Sequence, residues 1–309
     1  MTLLRRLALA SLVANVGIVV TGGAVRLTSS GLGCPTWPRC TDASYRPSPE
    51  MGIHGAIEFG NRMLTFVLVA IALAALVVAW RMRPANRPLR LLATAAFLGI
   101  PAQGVVGGLT VLTHLNPYVV GLHFLASIGV ITASWALWRR TVEPDGPVRP
   151  VVPRPIRQLT WLTAAASLAV ICVGVVVTGS GPHAGDADAK RTGLDPQNIS
   201  QVHADLVFLL VGLSVALWFA LRAVGAPASA VRAGAVLVLV ELAQGVVGFV
   251  QYFTDLPEIL VAVHMLGACL VWIATLGVIW SIRERVRTGG QVAARDAMAV
   301  ANRSGAPVA

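Results

Sequence analysis

Three histidines stand inside apolar stretches of the chain: His123 in VVGLHFLAS, His203 in ISQVHADLV and His264 in LVAVHMLGA. Imidazole is the commonest metal-ligating side chain, and ionisable groups at membrane depth mark functional sites by default. An unbroken offset of 141 lays AQGVVGG (102–108) on AQGVVGF (243–249) and His123 on His264. An offset of 142 lays IEFGNRMLTFVL (57–68) on ISQVHADLVFLL (199–210), so that Phe66 falls on Phe208, Asn61 on His203 and Glu58 on Ser200. VGIVVTG (16–22) returns as VGVVVTG (173–179). The second half thus carries two histidines at one depth, on its second and fourth apolar segments. Such a pair suits a six-coordinate haem iron between the helices of a bundle. The first half keeps His123 but offers Asn61, a poor iron ligand, with Glu58 nearly one helical turn away on roughly the same face. One half reads as a fixed electron-transfer haem site and the other as a place where chemistry is done. The plainer alternatives are histidines bonded to neighbouring carbonyls, and a Glu58–Arg62 ion pair at i,i+4.

The elements that must position these residues are membrane helices. The chain has 309 residues, 56% hydrophobic and only 12% charged, with mean hydropathy +0.73. That charged fraction is about half of what soluble domains carry. Eight apolar runs fall near residues 7–25, 57–80, 89–111, 118–138, 159–178, 200–221, 233–252 and 259–282, each close to the ~20 residues that a bilayer requires. The first has no small-residue cleavage pattern before Arg26 and is read as a retained helix. With the N-terminus inside, most of the 24 Lys and Arg residues lie in cytoplasmic segments, while Asp186, Asp188, Asp195, Asp255 and Glu258 lie outside. The expected fold is an all-α integral membrane protein of two repeated four-helix bundles with both termini cytoplasmic. Four spans per half make the repeat parallel. The expected divisions are 1–140, a cytoplasmic linker 141–158 with five prolines that keep it non-helical, 159–285, and a disordered tail 286–309. Topology and lipid headgroups account for the net charge of +10; no clustered basic face with interleaved aromatics points to nucleic acid.

Two cysteines, Cys172 and Cys269, lie within spans as core packing. Cys34 and Cys40, in GLGCPTWPRC, lie in the first outer loop on the oxidising side, where a disulfide persists. A pair of separate thiols or a metal clip is the lesser alternative.

Together these residues resemble the heme A synthase family, integral membrane enzymes of terminal-oxidase assembly. The likeness runs through LTSSGLGCPTWPRC, AIEFGNR, AQGVVGG, GLHFLAS, TGSGPHAGD, VHAD and VHMLGA, and covers the chain to about residue 285. It implies a cell-membrane, multi-pass oxidoreductase that converts haem O to haem A by two successive hydroxylations of a ring methyl, giving a formyl group. It further implies haem b held by His203 and His264, a substrate haem on the His123 side, Glu58 as the catalytic carboxylate and Cys34–Cys40 as the outer-loop pair. Haem O synthase and an electron donor are the implied protein contacts, with association into a homo-oligomer left open. One departure stands out. The family pattern after the glutamate is E-x-x-H-R, and this chain reads EFGNR. Asn61 is therefore an altered ligand position, and either the substrate iron is five-coordinate or another residue substitutes; neither His54 nor His114 is the expected replacement. His183 is read as a propionate contact or a loop-ordering residue, and Glu241 as a partner of Gln244 or part of a proton path.

Two rival readings remain. A diheme b-type cytochrome taking electrons from quinol explains the histidines but not Glu58. A parallel-repeat transporter would place its polar residues at the midplane on broken helices, whereas these lie near one surface.

Overall fold

The computed structural model describes residues 1–286. The tail expected beyond the last span lies, from residue 287 on, outside the described residues. Eight helices dominate: α1 (Thr2–Leu27), α2 (Gly52–Arg81), α3 (Arg87–Leu112), α4 (Pro117–Arg140), α5 (Arg154–Ser180), α6 (Pro196–Ala223), α7 (Ala228–Phe253) and α8 (Glu258–Ser281). Each is long and apolar enough to cross a membrane, and as helices they satisfy their backbone polar groups internally, as hydrocarbon demands. They match the eight expected spans but run up to five residues further at their ends, because caps and prolines set the boundaries rather than hydropathy. Asn86, Asn116 and Asp195 each accept a backbone N–H at an N-cap, and Pro follows in the first two positions of α3, α4 and α6.

Within the first half, α1 packs on α2 and α4, and α3 on α2 and α4; within the second, α5 packs on α6 and α8, and α7 on α6 and α8. The halves meet through α1, α4, α5 and α8. Their shared core holds Leu12, Val19, Ile131, Trp135, Ile171 and Cys269, and the Trp272 indole N–H donates across it to Thr132 Oγ1 at 2.7 Å. Elsewhere alanines carry the close approaches, as with Ala8, Ala75, Ala79 and Ala93 in the first half. Small residues are what membrane helices use when lipid removes the hydrophobic drive to associate. A buried polar tie joins the first and fourth helix of each half: Asn15 reaches Ser11 and Ser134, and Thr275 donates to Ser167 at 3.1 Å.

The expected non-helical linker is corrected in two ways. Residues from Arg154 belong to α5, with Pro153 at its N-cap and Pro155 in its first turn, where no N–H is needed. Val148–Pro150 forms strand β1, antiparallel to β2 (Arg283–Arg285). Glu143 sits between Arg285 at 3.1 Å and Arg283 at 3.5 Å, so the connection between halves is clasped to the end of α8. Nearby, the hydrogen bond from Arg140 holds the exposed Asp145 carboxyl below its ordinary value.

Candidate functional site

The segment that opens α2 is polar because a loop folds down onto it. Cys34 and Cys40 are disulfide-bonded with Cα atoms 4.4 Å apart, and both are fully buried. The closed loop turns its backbone toward α2: the Cys34 N–H donates to Glu58 Oε2 at 2.6 Å. Arg62, one turn along, pairs with Glu58 Oε1 at 2.5 Å and donates to the carbonyls of Cys34, Thr36 and Arg39. Glu58 is 5% exposed and has both oxygens engaged, the condition under which a buried carboxylate is tolerated. The ion pair weighed as an alternative is therefore present, but inside a larger clasp. Trp37 of the same loop lies against Gly108 of α3, where any side chain would collide with the indole. His54 joins the clasp through Ser30 Oγ at 2.9 Å.

The three histidines share a local design. Each packs against a glycine on a neighbouring helix. A Cβ at Gly107 would meet the His123 ring at 3.3 Å, one at Gly174 the His203 ring at 3.0 Å, and one at Gly248 the His264 ring at 3.2 Å. The Nδ1 atom of each is buried without a partner among the described residues. A glutamine then holds the backbone behind two of them: Gln103 Nε2 donates to the His123 carbonyl at 3.0 Å, and Gln244 Nε2 to the His264 carbonyl at 2.8 Å. Gln103 also reaches Ser127 Oγ. Gln103 and Gly107, like Gln244 and Gly248, are the second and sixth residues of AQGVVG in their halves. Their roles were missed in the sequence, although the repeat had marked them.

Across the second half the His203 and His264 rings face one another with centroids 6.4 Å apart. Metal–imidazole bonds of about 2 Å on both sides of one ion would put the centroids about 6 Å apart, so the pair fits axial ligation. Unpartnered ring nitrogens and fitted glycine cradles agree with that chemistry. In the first half the partner position is occupied as the sequence says: Asn61 Oδ1 accepts from Thr21 Oγ1 at 2.8 Å.

Other polar residues are placed apart from this design. Glu241, 3% exposed, accepts from Ser214 at 2.8 Å and not from Gln244, whose amide is committed to His264. His183 orders loops: its Nε2 meets the Leu256 carbonyl at 2.9 Å, and its own carbonyl accepts from Arg26. His114 lies in the turn after α3, at φ +50. Cys172 and Cys269 are free.

The cradles make a prediction with an internal control. Gly248→Val should displace the His264 ring and lower haem retention through purification by about tenfold or more, the scale of lost support to a metal-ligating histidine. Gly245→Val, three residues away on the same helix with nothing within 4 Å, should leave retention unchanged. Haem-to-protein ratios of the two purified variants check this.

Comparison with known proteins bears on the same residues. The chain is 28% identical over 186 residues to a protein of Symbiobacterium thermophilum named heme A synthase, covering 57% of this chain and 60% of that one. It is 36% identical over 114 residues to a heme A synthase of Bacillus pumilus, covering 36% of each, and 33% identical over 126 residues to one of Lysinibacillus sphaericus, covering 40% of each. The matched stretches thus span between about a third and three fifths of these relatives' lengths. A family profile described as cytochrome oxidase assembly protein matches residues 5–187, which takes in the disulfide loop, Glu58, Asn61 and His123 and ends before His203. Matched over more than half its length by that profile, the chain belongs to the COX15-CtaA family of cytochrome oxidase assembly proteins.

Proposed function

We propose that the chain is a heme A synthase of the cell membrane, an oxidoreductase that takes haem O as substrate and oxidises one ring methyl to a formyl group through two successive hydroxylations. The observation that carries this is the inequality of two otherwise matched halves: paired imidazoles in the second, one imidazole and a clasped carboxylate in the first. Two repeated bundles, one of α1–α4 and one of α5–α8, are supported by features that recur at the 141-residue offset. These are the histidine–glycine–glutamine sets and the paired left-handed residues His114–Leu115 and Asp255–Leu256. The distribution of basic residues supports both termini on the cytoplasmic side.

In this reading His203 and His264 hold haem b, which when bound relays single electrons. His123, in the first half, would hold the substrate haem. Glu58 lies at the mouth above it, its carboxylate aimed by the Cys34 N–H and by Arg62, where it stabilises developing positive charge or accepts a proton at Oε1 or Oε2. The disulfide loop closes that mouth against water. Haem O synthase, as the source of substrate, and a separate electron donor are the protein contacts this activity needs, and a homo-oligomer is compatible with it.

The full engagement of Glu58 by Arg62 and Cys34 favours a second reading, in which the carboxylate is structural and the protein is a diheme b-type cytochrome. The deciding experiment expresses the chain in a host that lacks haem A but makes haem O. Extracted haems are identified by chromatography and mass. Haem A is expected; haem b bound beside unaltered haem O would leave the cytochrome.

A further inference from the structure

Asn61 occupies the repeat position of His203, and what lies opposite the two positions differs. The His203 ring covers Gly174. Gly17 is the counterpart of Gly174, in VGIVVTG against VGVVVTG, yet nothing lies within 4 Å of a Cβ built there, and Gly17 is exposed. Gly17 and Thr21 share one face of α1, a turn apart, and Thr21 is bonded to Asn61 on α2, so this face looks across to α2. The shorter amide is drawn up to Thr21, leaving the glycine that the other half covers with an imidazole bare. The hydroxyl of Thr178, the counterpart of Thr21, makes no such cross-helix bond among the described residues and donates instead to the Gly174 carbonyl of its own helix at 2.8 Å.

The orientation of the amide follows from this bond. Because Oδ1 accepts from the hydroxyl, the Nδ2 group retains two hydrogens for donation. It lies 3.8 Å from the Cβ position of Gly22, on the same stretch of α1, and no hydrogen bond within the described residues uses it. An amide seldom ligates iron, but hydrogen-bond donors beside a haem decide whether it binds gases or only carries electrons.

We propose that the first half would hold its haem through His123 alone, and that Asn61, fixed by Thr21, would donate Nδ2–H to a small diatomic ligand of that haem on the α1/α2 side. The inference rests on the reading that this half receives a haem substrate. Thr21 is a positioning residue in it, and Asn61 the group that touches the ligand.

The test uses the full-length protein purified from cells making haem O, with carbon monoxide as probe and optical and electron paramagnetic resonance spectra as readouts. Wild type should show one low-spin haem, lost in His264→Ala, and one high-spin haem, lost in His123→Ala, with carbon monoxide binding only to the latter. Asn61→His should fill the space over Gly17, convert the high-spin haem to low spin and suppress carbon monoxide binding. Asn61→Leu should keep the high-spin haem but raise the C–O stretching frequency and speed ligand release roughly five- to tenfold, the worth of one hydrogen bond. A low-spin haem on the His123 side of the wild type, or unchanged C–O stretch and release in Asn61→Leu, would overturn the inference and leave the synthase reading standing. Absence of any haem that depends on His123 would overturn both.

Discussion

His264→Ala should strip the second half of its haem: the low-spin spectrum disappears and total haem falls to that held by His123. Iron held between two imidazoles depends on both, so His203→Ala should give the same loss, and the double variant little more than either alone, because residues acting as a unit are not additive. Retention through purification should fall at least ~100-fold, beyond the 10–100-fold typical when only a supporting residue of a metal ligand is lost. The space left beside His203 has the shape of the missing ring, bounded by Gly248, so millimolar imidazole should restore the low-spin spectrum in His264→Ala but not in the double variant His264→Ala/Gly248→Val, where that space is filled. Failure of imidazole to restore it, with the protein still folded, would argue that His264 is a packing residue. The readout is the absorbance spectrum of purified protein, with circular dichroism to confirm helicity.

Glu58→Gln should leave both haems bound while slowing the conversion of haem O by about 10²–10⁴-fold, the usual contribution of a positioned proton-transfer group. Gln is the discriminating choice because it keeps the shape. Its amide oxygen can still accept from the Cys34 N–H or from Arg62, and Arg62 retains three loop carbonyls as acceptors, so the clasp should hold and melting should change little. Activity loss with an unchanged melting temperature places the carboxylate in the chemistry. Loss of both together, or a drop of equal size in Arg62→Gln with the loop released, would mean that Glu58 serves the loop instead. Haem composition of whole cells, resolved into haem O, hydroxylated intermediate and haem A, checks the first outcome, and thermal denaturation in detergent the second.

Much of this molecule could be read without coordinates. Helix number follows from apolar length, a local property that no partner can cancel in a bilayer. The match between halves follows from identities at one offset, and it brought His123, His264 and the AQGVVG motif into register before any contact was known. The departure at Asn61 was likewise a matter of letters. Tertiary structure decided what a string cannot carry, namely which faces of the helices meet. That Gln103 and Gln244 hold histidine carbonyls depends on the rotation of α3 against α4 and of α7 against α8. The bond from Cys34 to Glu58 spans 24 residues and exists only because a closed loop folds back onto the first turns of α2. Strands β1 and β2 have no alternation in VRP or RER to announce them; they pair because the assembled helices bring residue 148 beside residue 285. Glu241 illustrates the same limit: adjacency in sequence favoured Gln244, three positions on, while packing gave it to Ser214 on another helix. Composition and repetition set which side chains enter the membrane and at what depth, because both act along the chain. Helix rotation and loop closure, which act across it, set which of those side chains touch.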